Sequence, residues 1–116
     1  MPEIQAYRFG QMTVDGQRYT ADLILLPNSV LPNWWRQAGH RLVPEDLTAI
    51  LSSESEVQML VIGTGAYGMM KVPPETIAAI EAAGIEVRTA PTGRAWKIYN
   101  DACARCPTAG AFHLTC

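Results

Sequence analysis

From Val57 to the last residue, apolar runs alternate with helical stretches, and proline or glycine marks most of the joins. Val57–Ile62 reads as a strand ended by Gly63. Pro74 opens a helix through Ile77 and Ile80, and Gly84 stands where a helix C-terminus needs its cap. Ile85–Arg88 is a second strand, Thr92 is placed to N-cap a third helix, and Gly110–Leu114 is a last strand. Strand, helix, strand, helix, strand at this spacing is the pattern of parallel βαβ units.

The first half adds more strands. Met12-Thr13-Val14, Asp15-Gly16 and Gln17–Thr20 form a hairpin signal, because Asp-Gly suits the two positive-φ positions of a type I′ turn. Ile4–Phe9 reads as a strand before it. Asp22–Leu26 is a continuous apolar run stopped by Pro27, the pattern of a strand buried on both faces. Pro27 to Val43 reads as irregular. Pro44 then fits the first position of a helix to about Leu51, with Glu45 and Asp46 at its positive end. With its helix, the Leu23–Leu26 strand brings the sheet to about four strands, beside the hairpin. The class is α/β, one domain over residues 1–116.

Composition narrows the function. A chain of 116 residues lies within the domain range of roughly 50–250 residues, and 48% hydrophobic with 17% charged residues excludes disorder. A net charge of −2 lacks the basic excess of a nucleic-acid binder. Glu45, Asp46, Glu54 and Glu56 form an acidic stretch read as a solvated face, while Arg88, Arg94 and Lys97 cluster without an acid. No apolar run approaches the ~20 residues of a bilayer span, so no membrane insertion is expected. Met1-Pro2-Glu3-Ile4 lacks a signal-peptide layout, and three cysteines are too few and too late for a secreted disulfide framework. A cytoplasmic location is expected.

The motifs that suggest chemistry each meet an objection. Gly63-Thr64-Gly65-Ala66-Tyr67-Gly68 matches G-x-G-x-x-G after a strand, with Glu86 where a ribose-binding acid would lie. In a dinucleotide fold those glycines open a helix at once, yet here Met69–Val72 and Pro73-Pro74 intervene. The motif reads as a glycine turn, and no cofactor is assigned. Cys103-Ala104-Arg105-Cys106 falls at a helix end, where the dipole opposes a thiolate. Ala95, Ile98, Tyr99, Ala102, Cys103 and Cys106 share one apolar stripe, so the pair reads as core. Joining them to His113 and Cys116 as zinc ligands has no diagnostic spacing, and no metal is assigned. His40 and His113 read as hydrogen-bonded structural residues. Trp34 and Trp35 read as a clamp for the long loop ahead of a platform that stacks a ligand, and as candidate anchors for a partner.

One composite site remains. In open parallel sheets ligands bind beyond the carboxyl ends of the strands. The segments 28–36, 63–68 and 89–94 would gather there, bringing Trp35, Arg36, Thr64, Tyr67, Thr92 and Arg94 to one edge. Thr64, Tyr67, Thr92, Arg94 and Arg36 are the candidate binders of a small anion, and Trp34 and Trp35 those of a protein. No catalytic residue is assigned.

An ordered series also carries a resemblance. It comprises Asp15-Gly16, Trp35, Gly63-Thr64-Gly65, Gly84-Ile85-Glu86-Val87, Thr92, Ala95, Tyr99-Asn100 and the ending His113-Leu114-Thr115-Cys116. It resembles a family of small α/β proteins of unknown function that includes mitochondrial complex I assembly factor 3 and the adipogenesis-associated domain protein. The resemblance implies a compact three-layer α/β domain, with a central mixed, mostly parallel sheet and an N-terminal β portion. It implies no assigned catalysis, and a protein partner of the respiratory-complex assembly kind, with self-association left open. Without an import-type leader, a bacterial cytoplasmic setting is expected.

Overall fold

The computed structural model describes residues 1–51 and 56–116. A five-stranded sheet in the order β5-β4-β8-β6-β7 forms the centre. Its strands are β4 (Leu23–Leu26), β5 (Ser29–Leu31), β6 (Met59–Thr64), β7 (Glu86–Ala90) and β8 (Thr108–His113). β6 pairs in parallel with both β7 and β8, while β4 runs antiparallel to β8 and β5 antiparallel to β4. The second sheet is antiparallel, β1 (Ile4–Arg8), β2 (Gln11–Val14) and β3 (Gln17–Tyr19). Asp15 and Gly16 turn between β2 and β3 with φ of 48° and 81°, as a type I′ turn requires.

Alternation along the central strands divides the core into two faces. Ile24, Leu60, Ile62, Ala109 and Ala111 point to one side, where Leu42, Leu47, Ile50 and Ile80 cover them. These come from the long loop, a 3₁₀ turn at Pro44–Leu47 running into α1 (Thr48–Leu51), and α2 (Pro74–Ala82). Leu23, Leu25, Val61 and Phe112 point to the other side, against Ala95 and Tyr99 of α3 (Thr92–Cys103) and Ile4, Met12 and Val14 of the small sheet. The result is three layers around a mixed sheet.

Two features differ from the sequence reading. Asp22–Leu26 does not lead into a parallel βαβ unit. It enters a hairpin, because Pro27-Asn28 turns the chain and pairs Leu26 with Ser29. The segment read as irregular therefore supplies an edge strand, too short at Ser29–Leu31 to show a period. Thr92 is also not an N-cap. Pro91 holds that position, and Thr92 is the first helical residue. Gly84 does close α2, with Gly84 N–H on the Glu81 carbonyl and Ile85 N–H on that of Ile80. In the acidic stretch, Glu54 lies outside the described residues, and Asp46 accepts the Val43 N–H at 3.1 Å.

Candidate functional site

The carboxyl ends of β6, β7 and β8 share one edge of the sheet. The antiparallel direction of β4 adds Asp22 to it, and β5 delivers Trp34–Arg36 there. α2 and α3 pack on opposite faces, so the strand order reverses between β6 and β8, where crevices form in such sheets.

A buried charge cluster occupies this place. Arg36 Nη1 donates to Asp22 Oδ2 at 2.8 Å, the two side chains being 5% and 17% exposed. Asp22 Oδ1 accepts the Leu114 N–H at 2.8 Å, and His113 Nδ1 lies 2.8 Å from Oδ2. Arg36 Nη2 donates to the Gly39 carbonyl at 2.9 Å, and the guanidinium sits 4.8 Å from the Trp34 ring centroid. Desolvation pushes the Asp22 carboxyl up, but the bonds from His113, Leu114 and Arg36 together hold it below its ordinary value.

An ionised Asp22 fixes the proton on His113. Only Nδ1–H can donate to Oδ2, so the 3.1 Å approach of Arg36 Nη2 to the same nitrogen is a contact rather than a hydrogen bond. His113 Nε2 and Arg36 Nε are then left buried without partners among the described residues. Each such atom costs about 1–3 kcal/mol. The His40 ring stands edge-on to His113, centroids 5.7 Å apart.

The glycine turn closes the other side of the imidazole. Gly65 has φ +105°, and a methyl group on it would lie 2.7 Å from His113 Cδ2 and 2.5 Å from the Cys116 carbonyl carbon. Only glycine fits. The Thr92 hydroxyl bridges this turn to β8, accepting Gly65 N–H at 2.9 Å and donating to the His113 carbonyl at 2.6 Å. Ala66 N–H donates to the Thr115 carbonyl and Met69 N–H to that of Cys116. Helix α2 begins only at Pro74, so these amides do not form a helix N-terminus.

The residues singled out in the sequence separate into groups. Arg36, Thr64 and Thr92 are buried at the carboxyl edge. Tyr67 and Arg94 are exposed. Trp34 packs inward, its Nε1–H on the Asp46 carbonyl at 2.9 Å, whereas Trp35 is 76% exposed. Cys103 and Cys106 lie at the amino end of β8, and burial pushes the Cys103 thiol up. His113 and Cys116 lie at the opposite end, about 16 Å away by the rise of a strand, so the four cannot share one zinc ion. Among the described residues no three His, Cys, Asp or Glu side chains are grouped to hold a metal ion.

A family model described as a protein of unknown function (DUF498/DUF598) matches residues 4–113. The chain belongs to this family. The family match and the relatives agree with the resemblance carried by its ordered motifs. Among solved structures, it is similar to a conserved hypothetical protein from Pyrococcus horikoshii OT3, with 27% identity and a TM-score of 0.81 over 98% of this chain and 99% of that one. A Bartonella henselae protein described as an outer membrane protein shares the fold at 22% identity, TM-score 0.83, over 98% and 95% of the two chains. So does a Bordetella pertussis protein described as a Mth938-like domain, at 19% identity, TM-score 0.77, over 97% and 85%.

In this DUF498/DUF598 chain the sequence reading passed over Asp22 as a strand start and left His113 without a partner. The two are 91 residues apart, and no local spacing signals their contact. The usable signal was an aspartate heading an apolar strand, at the level where another strand ends in histidine.

Proposed function

We propose that this protein works by binding another protein, in the manner of an assembly factor, through an aromatic surface beside the carboxyl edge. The observation that carries this reading is the exposure of Phe9 (54%), Tyr67 (72%) and Met69 (49%), with the Phe9 and Tyr67 rings 6.0 Å apart. Met69 and the residues adjoining Phe9 and Tyr67 are tied to one tail, since Gly10, Ala66 and Met69 donate to the carbonyls of Leu114, Thr115 and Cys116. A preordered surface loses little entropy on docking, and aromatic residues and methionine are enriched at interface cores. Trp35 offers a further exposed aromatic on the segment that carries Arg36.

The resemblance adds a respiratory-complex subunit as the partner, with self-association as another use of the surface. Residues 1–116 act as one domain in the cytoplasm. No helix among the described residues is long and apolar enough to cross a membrane, and the net charge of −2 argues against nucleic acid. Binding of a small anion has less support. The amides of Gly65, Ala66 and Met69 are occupied, Arg36 is paired with Asp22, and Arg94 is exposed.

Affinity purification of the tagged protein beside its Phe9→Ser/Tyr67→Ser variant tests this, with circular dichroism to establish that both fold. The native chain should retain a near-stoichiometric partner that the variant loses by about tenfold or more, the equivalent of ~1.4 kcal/mol. Equal recovery by both, or a retained anionic metabolite with no protein partner, contradicts the reading.

A further inference from the structure

We propose that two copies of this chain join through β7, edge to edge and antiparallel, about a two-fold axis at Val87. The contact does not use Phe9, Tyr67 or Met69. Strands β1, β3, β5 and β7 stand at the edges of the two sheets. Three of these edges are guarded. β3 and β5 are three residues long, and β5 lies between Pro27 and Pro32. β1 is capped at Ile4 by the Asn100 side chain, whose Oδ1 accepts the Ile4 N–H at 3.1 Å. Its Nδ2 donates to the Ile4 carbonyl at 2.7 Å, so both bonds that a neighbouring strand could take are filled. β7 has five residues, Glu86–Ala90, with no proline among them and no such cap. Glu86 N–H donates to the Gln58 carbonyl at 2.9 Å, so Glu86, Arg88 and Ala90 turn their backbone groups toward β6. Val87 and Thr89 turn theirs outward, and among the described residues nothing bonds to them.

The side chains say what fits this edge. Glu86 and Arg88 share one face, 60% and 58% exposed, with Arg88 Nε 3.4 Å from Glu86 Oε2. Opposite charges two residues apart make the strand complementary to itself. With the axis at Val87, Glu86 of each copy stands opposite Arg88 of the other. The two Val87 residues, whose amides and carbonyls already point outward, exchange both of their hydrogen bonds. Other registers fail. An axis at Glu86 or at Arg88 sets like charges directly opposite, which destabilises a pair of strands. An axis at Thr89 pairs Val87 with Pro91, which has no N–H to give. The charge pattern and the backbone alternation thus select the same axis. A contact of one strand is small, so the dimer forms in the micromolar range.

Sedimentation equilibrium of the whole chain under reducing conditions, from millimolar to micromolar, tests this, with circular dichroism on each variant. The native mass should rise from that of one chain toward twice it. Val87→Pro removes an N–H that β6 does not use, and should fold but stay monomeric. Glu86→Arg should raise the dissociation constant about tenfold or more, since it puts like charges opposite on both sides of the axis. Glu86→Arg/Arg88→Glu restores every opposite pair and should return the constant to within about threefold of the native one. A native chain that is monomeric throughout overturns the proposal. So does a dimer that Glu86→Arg leaves unchanged, or a double reversal that stays as weak as Glu86→Arg alone.

Discussion

The two ends of β8 are held in opposite ways. At the amino end the bonds join uncharged groups, the Thr108 hydroxyl donating to the Cys106 carbonyl at 2.8 Å and the Gln58 N–H to that of Pro107 at 2.9 Å, while Cys103 packs against the apolar layer. At the carboxyl end His113 meets Asp22 and Arg36, 91 and 77 residues away. One end is closed by backbone and hydroxyl bonds between uncharged groups. The other buries charge and leaves two polar atoms unpaired, a departure from full satisfaction that folds usually reserve for working sites.

The largest effect that could break this contrast comes from Asp22→Ala. It removes the partner of a buried guanidinium, the bond to Leu114 N–H and the acceptor of His113 at once. Breaking a buried pair from one side costs about 3–5 kcal/mol, to be read from urea unfolding. A loss below about 0.5 kcal/mol would mean that the cluster is solvated and the two ends are alike.

Thr92→Val is the finer probe. It keeps the shape of the side chain while leaving Gly65 N–H and the His113 carbonyl without the hydroxyl that joins them. The expected loss is about 1–3 kcal/mol by urea unfolding. If the variant is as stable as its parent, the glycine turn is held by backbone bonds, among them residue 92 N–H on the Gly65 carbonyl at 3.0 Å, without help from the hydroxyl.

The contrast also explains what the sequence made legible. The β6–α2–β7–α3–β8 order could be read because proline, glycine and apolar runs act within a few residues of where they stand. Pro74 and Gly84 bound α2, and Asp15-Gly16 turns the small hairpin, as read. The β4–β5 hairpin escaped because Ser29–Leu31 is too short for a period and Pro27 looked like a simple stop. The direction of β4 was hidden for a related reason, since a strand buried on both faces carries no mark of its neighbours' sense. The composite edge of Arg36, Thr64 and Thr92 followed from the general rule for parallel sheets. Its centre did not, because Asp22 and His113 meet only through the antiparallel pairing of β4 with β8.

The central claim is that an ionised Asp22 organises the carboxyl edge. Its folded value is lowered, so the stability it adds is fully present above the unfolded carboxylate value of about 3.9 and is lost as pH falls through the folded value. Urea unfolding of the native chain and of Asp22→Asn, repeated from pH 7 down to pH 2, tests this most directly. The native chain should lead by a constant margin above about pH 5, and that margin should shrink steadily below about pH 4. A margin that stays the same down to pH 2 would contradict an ionised Asp22 at the centre of the site.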